Sequence, residues 1–275
     1  IFTLSVMRTI LDKLIYFDNY STIDRNMSES NIGARKNRNI RDHLFIVNGI
    51  LNSVKHKEAK NVDIQLMDIS KCFDAQWPVE TMNDFYDVGI KNDKLVVMNE
   101  ANKNIHVAIN TPFGQSERET LKSIEMQGSV LAPIKASIQI DKVGKQCLDE
   151  SENLYCYKKI VDIPPLAFVD DIIGFSECGL SSVKLNSFLN TKIQTKRLWY
   201  SDKKCHQIHA GEKNVFCPIL DVHGNVMKKV DSDKYLGDFI SSDGTNNKNI
   251  DSKVAKGMGI VAQIMALLSE VSLGS

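Results

Sequence analysis

Two adjacent carboxylates, Asp170 and Asp171, stand in an apolar setting, with Pro164-Pro165-Leu166-Ala167 before Phe168-Val169 and Ile172-Ile173 after. Aspartate is a poor strand residue, and burying two side by side is costly unless a cation or hydrogen bonds compensate. A hydrophobic strand that turns on such a pair suggests a metal site at a hairpin tip. Hard divalent ions prefer carboxylate oxygen, and one or two carboxylates plus substrate phosphates is a usual set for Mg²⁺. Aspartate is also common in solvated turns. The pair alone leaves both readings open.

Asp68 shifts the balance. Val62, Ile64 and Leu66 alternate with polar residues at the period of a strand, and that strand runs into Asp68. Two neighbouring strands that each end in aspartate would bring three carboxylates to the same ions. Two-metal sites place ions ~3.5–4 Å apart, one at the attacking oxygen and one at the leaving oxygen of an in-line phosphoryl displacement. Asp68, Asp170 and Asp171 are thus a minimal set for nucleotidyl transfer.

The elements that must position these residues alternate between helical and strand patterns, as in an α+β or α/β protein. Residues 5–17 place Val6, Met7, Ile10, Leu11, Leu14 and Ile15 on one helical stripe, and residues 39–57 repeat it with Ile40, Leu44, Val47, Leu51 and Val54. Trp77-Pro78 reads as a helix start, with proline in the first turn. Residues 105–112 read as a strand, and a helix follows Pro133. Leu154 to Phe175 reads as hairpin strands around the Asp-Asp turn, and 180–199 as a helix with Val183, Leu185, Phe188, Leu189 and Ile193 on its apolar face. Short strands around a His223-Gly224-Asn225 turn come next, and Lys248 to Val271 reads as an amphipathic helix.

Composition bounds the classes. The 275 residues suffice for one large domain or two smaller ones. No apolar run approaches the ~20 residues of a membrane span, and Arg8 interrupts the short apolar start, unlike a signal peptide. An intracellular, soluble chain of nucleus or cytoplasm is expected, with no membrane partner, cut from something longer. Cys72, Cys147, Cys156, Cys178, Cys205 and Cys217 are scattered, without a C-x-x-C pair. Cys205-His206 with His209 is the nearest approach to a zinc set and falls short of one.

From Ser5 onwards the chain resembles the reverse transcriptases of non-LTR retrotransposons, and more loosely those of group II introns. Asp68-Ile69-Ser70-Lys71-Cys72-Phe73-Asp74 resembles the first palm motif, Met126-Gln127-Gly128-Ser129-Val130-Leu131-Ala132-Pro133 the Gln-Gly motif, and Phe168-Val169-Asp170-Asp171 the aromatic-x-Asp-Asp hairpin. Ser201-Asp202-Lys203-Lys204-Cys205 resembles the motif whose lysine lies near the triphosphate. Tyr235-Leu236-Gly237 resembles the primer-grip strand, and Gly33-Ala34-Arg35-Lys36-Asn37-Arg38 a fingers motif that carries an aromatic where Ala34 stands. Each motif is weak alone; their order is what is specific.

The resemblance implies an α+β right-hand palm, an antiparallel sheet backed by helices, with partial fingers over 1–60, palm over 61–242 and the start of a thumb over 243–275. It implies catalytic and metal-binding roles for Asp68, Asp170 and Asp171, with the Ile69 carbonyl as a further Mg²⁺ or Mn²⁺ ligand. It assigns Phe73, Gln127, Gly128, Lys204 and Arg35 to the nucleotide, with Phe73 as a steric gate against the 2′-hydroxyl. Arg38, Tyr235, Leu236 and Gly237 would face primer or template. The partners implied are an RNA template, a DNA primer and dNTPs. A catalytically inactive nucleic-acid or protein-binding relic, or another metal-dependent phosphoryl-transfer enzyme such as a nuclease, are the competing classes. The balance of 34 basic and 34 acidic residues is unexpected for a protein gripping a duplex. Asp141 and Asp162 read as surface or turn residues.

Overall fold

Strand β1 (Asn61–Asp68) lies at the middle of a five-stranded sheet, so both of its faces must be covered. The computed structural model describes residues 6–73, 75–101, 103, 105–121, 129–151, 153–177, 179–201, 203–212, 218–220 and 226–273. Helices α1 (Val6–Asn26) and α2 (Ile40–Lys55) precede β1, and α3 (Pro78–Asp87) and α4 (Asp93–Ala101) follow it. Two small ribbons come next: β2 (Ile105–Val107) with β5 (Glu119–Leu121), and β3 (Asn110–Thr111) with β4 (Gly114–Gln115). The single strand expected over 105–112 is therefore divided between two ribbons. Beyond them lie α5 (Ala132–Glu150), the hairpin β6 (Tyr155–Tyr157) and β7 (Val161–Ile163), the hairpin β8 (Leu166–Phe168) and β9 (Asp171–Ser176), and α6 (Leu180–Thr195). The chain continues through β10 (His206–Gly211), β11 (Lys228–Lys229), the hairpin β12 (Ser232–Tyr235) and β13 (Asp238–Ser241), and α7 (Asn247–Leu273). The His223-Gly224-Asn225 turn lies outside the described residues.

The sheet order is β11-β10-β1-β9-β8, antiparallel except for the short β10–β11 edge. The period of two sorts its side chains cleanly. Val62, Ile64 and Leu66 of β1, Ile173 and Phe175 of β9, and Ile208 and Ala210 of β10 face α2 and the β6–β7 and β12–β13 hairpins, in one apolar cluster. Met67 of β1 and Ile172 of β9 face α5 and α6, where they meet Ala136, Ile140, Leu185, Leu189 and Ile193. A third cluster joins α1, α3 and α5 through Ile23, Phe85, Ile134 and Ile138.

The polar residues of β1 are buried as well. Asp63 accepts from the Ser182 hydroxyl and meets His209 Nδ1 at 2.6 Å, while Gln65 donates to the Ser182 carbonyl at 2.9 Å. The alternation in β1 thus separates an apolar face from a hydrogen-bonded one beneath α6, rather than core from solvent.

Helix α1 keeps only part of its expected face, with Leu11 and Ile15 partly buried and Ile15 packed against the α1–α3–α5 cluster. Val6, Met7, Ile10 and Leu14 are exposed, whereas Asp12 is buried, bonded to Arg8 Nε at 2.8 Å and to the Ser129 hydroxyl at 2.6 Å. Helix α7 forms where expected, but Val254, Met258, Val261 and Leu268 on it are exposed. Asp141, read as a surface residue, is 2 % exposed and accepts from the Ser28 amide and hydroxyl.

One loop holds the hairpin of β8 and β9 from outside. Ala167 N donates to Ser30 O at 2.9 Å, and Ile32 N to Ala167 O at 3.1 Å, so residues 30–32 extend the sheet past β8. Gly33 then presses on the hairpin turn: a Cβ there would lie 2.5 Å from the Val169 nitrogen and 2.5 Å from Ser137 Oγ. The Gly33→Ala variant is expected to lose about 1–3 kcal/mol, the cost of overpacking. Urea denaturation measures it, and an unchanged midpoint would show that the turn yields freely.

Candidate active site

The period and register that build the core also assemble the site. Asp68 continues the face of Val62, Ile64 and Leu66, and its direct partner across β1 and β9 is Asp171. Facing positions on adjacent strands put Cβ atoms roughly 4.5–5.5 Å apart. Asp170 occupies the turn, and its carbonyl accepts from Ile69 N at 3.2 Å, closing the hairpin onto the end of β1. Phe168 pairs with Asp171, which leaves Val169 and Asp170 as a two-residue turn. Val169 has φ +60°, a region that a β-branched residue rarely enters. Such turns favour glycine there, so the hairpin carries local strain directly beside its carboxylates.

Residues 199–201 extend the sheet on the other side. Ser201 N donates to Asp68 O and Ser70 N to Trp199 O, each at 2.8 Å. The following turn, closed by Lys204 N to Ser201 O at 3.0 Å, lifts Lys204 over the site. Its ammonium straddles the Asp68 carboxylate at 3.0 and 3.1 Å.

The electrostatics follow from this crowding. Burial, then the charges of Asp170 and Asp68, push the Asp171 carboxyl up to about 6, against a partial offset from Lys204. Asp170 is raised by burial first and by Asp68 next. Lys204 is raised by its hydrogen bond to Asp68. Burial, aided by the Asp170 charge, holds the neighbouring Cys72 thiol up at about 12 and hence protonated.

A cavity of about 270 Å³ opens beside the pair, lined by Leu66, Asp68, Asp171, Lys203, Lys204, His206, Asp233 and Tyr235. Tyr235 is buried, its hydroxyl 3.0 Å from His43 Nδ1, and burial pushes the phenol up. Leu236 and Gly237 form the β12–β13 turn, with φ +47° and +94°. His206 and Asp233 join the rim through a hydrogen bond between Nδ1 and a carboxylate oxygen. The sequence marked His206 only within an incomplete zinc set and Asp233 not at all, because their partnership links strands 27 positions apart.

Other expected site residues stand elsewhere. Arg35 is a correction: its guanidinium is buried, donating to Asp24 Oδ1 and O, Ser28 O and Asn31 O at 2.6–2.9 Å, so it clamps the loop to α1 instead of facing a nucleotide. Arg38 is paired with Glu29 through both terminal nitrogens. Phe73 is half-buried against the α5–α6 cluster. Gln127 and Gly128 lie outside the described residues. Cys205 approaches Asp68 O, while His206 and His209 each engage a different aspartate, so they do not form a zinc set.

Among the described residues no group of three or more histidine, cysteine or acidic side chains is gathered tightly enough to hold a metal ion as placed. The donor chemistry nevertheless fits a hard divalent cation. Three carboxylates share one strand end, two of them are raised by burial and then by neighbouring charge, and the Lys204 ammonium already supplies a cation to the third.

An antiparallel sheet with carboxylates paired at the end of two central strands, backed by two helices, is the palm of a polymerase hand. Residues 4–239 match the family described as reverse transcriptase (RNA-dependent DNA polymerase), and the chain belongs to that family. No curated protein matches it in sequence. Among solved structures it is similar to apo telomerase from Candida tropicalis truncated from its C-terminal domain, at 11 % identity and TM-score 0.60, over 84 % of this chain and 44 % of that one. It is also similar to telomerase from Candida tropicalis in complex with a TWJ fragment of telomeric RNA, at 15 % identity and TM-score 0.52, over 82 % and 37 % of the two chains. The chain therefore spans less than half the length of these structures, and the likeness is one of fold. Among the described residues no helix is long and apolar enough to cross a membrane.

The raised Asp171 gives a pH signature. Its carboxyl ionises near 3.8 when unfolded and near 6 when folded. Between those values the folded state keeps a proton that the unfolded state has lost, so this group's contribution to stability falls as pH rises through the window. Asp171→Asn is expected to remove that fall and to stabilise the metal-free chain at pH 7.5 by about 1 kcal/mol, allowing for screening of a part-exposed group. Denaturation midpoints in chelator from pH 4 to 8 measure both effects. A variant no more stable than the parent at pH 7.5 would count against the repulsion.

Proposed function

We propose that this chain is the palm-centred part of an RNA-directed DNA polymerase, extending a DNA primer with dNTPs on an RNA template. The observation that carries the reading is the direct pairing of Asp68 with Asp171 across the central strands, closed by Asp170 and capped by Lys204. The order of motifs from Gly33 to Gly237 supports an origin in a non-LTR retrotransposon. Residues 1–60 would then be partial fingers, 61–242 palm and 243–275 the start of a thumb.

In this reading Asp68, Asp170 and Asp171, with the Ile69 carbonyl, hold Mg²⁺ or Mn²⁺. A divalent ion held there would supply acidification of the primer 3′-hydroxyl and charge neutralisation at the triphosphate. The protein's part is positioning. Asp171 must be ionised to bind, so affinity for the ion rises as pH passes about 6. Lys204, released from Asp68, turns to the triphosphate, where an ammonium acts as a point charge on phosphate. The Leu236-Gly237 turn, anchored through Tyr235 to His43 of α2, offers backbone to the primer end. Phe73, five residues beyond Asp68, guards the sugar, and the resemblance adds Gln127 and Gly128 as nucleotide contacts.

Primer extension on an RNA template tests the assignment. With so much of the longer relatives' length outside it, the chain alone is expected to extend weakly, and Asp170→Asn to reduce incorporation at least about 10²-fold. Mn²⁺ binding followed by electron paramagnetic resonance is expected to weaken in the same variant. Equal incorporation by both proteins would refute this site as the source of the activity.

A further inference from the structure

The chain has only two tryptophans, and both are at the surface. Trp77 is 39 % exposed and Trp199 is 50 % exposed. Large aromatics are the residues a core most readily absorbs, so two left half in water near one site call for an account. Their surroundings supply one. The Arg197 guanidinium lies over the Trp77 ring, 4.2 Å from its centroid. Leu198 and Tyr200 are buried in the α5–α6 cluster, at 0 % and 6 % exposure, so the chain alternates and turns Arg197 and Trp199 outward together. Lys71, exposed in the turn after β1, adds a second cation. Among the described residues neither Arg197 nor Lys71 has an acidic partner.

This surface is continuous with the catalytic strand. Trp199 O accepts from Ser70 N at 2.8 Å, and Ser201 N donates to Asp68 O at 2.8 Å. Trp199 is thus level with Ser70, roughly 7 Å along the strand from Asp68. Trp77 precedes Pro78 at the start of α3, and its carbonyl is held by the Thr81 amide at 3.0 Å. The backbone at both tryptophans is therefore held by hydrogen bonds, not carried on free loops.

We propose that Trp77, Arg197 and Trp199 form a stacking platform for unpaired bases of a single strand beside the carboxylate site, with Lys71 on its phosphates. Every base offers a π-face to an indole, so stacking suits a strand of any sequence, and guanidinium serves both stacking and phosphate. A folded protein partner would ask for a larger apolar patch than two rings broken by two cations. The proposal deepens the polymerase reading, since a strand passing the palm must be unpaired somewhere near the carboxylates, and rests on it for that context.

The two tryptophans make the test direct. Addition of an oligouridylate 15-mer is expected to quench intrinsic tryptophan emission. The single-tryptophan proteins Trp77→Phe and Trp199→Phe should each keep part of that quenching. Trp199→Ala and Arg197→Ala should each weaken binding at least about fivefold, measured at a temperature where circular dichroism shows each variant folded. Strand binding by anisotropy with undiminished affinity in Trp77→Ala and Trp199→Ala would overturn the platform. So would equal quenching by free uridine monophosphate at the same nucleotide concentration, which marks a mononucleotide site. A primer–template duplex that binds while the single strand leaves emission unchanged overturns this inference alone. Single-strand quenching with no duplex binding supports the platform and counts against the polymerase reading.

Discussion

Three like charges held at one strand end is the constraint around which the rest of this structure is arranged. Asp68 and Asp171 face each other because β1 and β9 pair in one register, and a slip of one residue would turn each to the opposite face. That register is held by apolar packing on both sides of the sheet and by the loop at residues 30–33 that presses on the hairpin. Left to themselves the carboxylates would separate; burial and mutual charge raise two of them instead. Lys204 offsets the repulsion only in part, and its exposed ammonium leaves it free to exchange partners.

The helix-facing side of the sheet shows how the register is specified. Asp63, Gln65 and Ser176, on the strands that carry the aspartates, are buried there with Gln207 and His209 of β10 and Ser182 of α6. Asp63 joins the Ser182 hydroxyl to the His209 ring, which bonds onward to Glu212 O at 2.9 Å. An apolar core tolerates sliding better than a buried polar set, since displacing one member leaves the others unpaired at a cost of about 1–3 kcal/mol each. The network adds little net stability by itself, but it penalises every wrong alignment of β1, β9 and β10. On the other face, His43 and His206 pin the β12–β13 hairpin to α2 and to β10.

Legibility in the sequence followed the range of the interactions involved. Helices α2, α3, α5 and α6 and strand β1 could be read because their patterns are local and their faces meet the core. The three aspartates could be read because each follows an apolar strand. Arg35 could not: a guanidinium that clamps carbonyls and one that binds phosphate have the same sequence, and only burial tells them apart. Asp12 and Asp141 were hidden for the same reason, since the Ser129 and Ser28 partners that make burial tolerable lie more than a hundred residues away. The stripe on α1 misled because period alone does not say which face of a helix finds a partner. His206 and Asp233 needed the sheet itself to bring them together.

The even balance of charges, which weighed against a nucleic-acid enzyme, loses force once the charges are placed. Many cations are neutralised away from the site: Lys196 on Asp84, Lys142 on Asp84 and Asp87, Lys145 on Asp141, Lys192 on Glu150, and Arg35 on Asp24. Most of these pairs join α3, α5 and α6, and all contribute little field at a distance, because each positive charge has its negative close by. Around the carboxylates the pattern differs. Lys203, Lys204 and Lys234 line the cavity, and Lys71 is exposed in the turn after β1. A neutral total can therefore coexist with a basic rim about an acidic centre. Net charge describes how a protein behaves from afar; at contact distance the local arrangement decides.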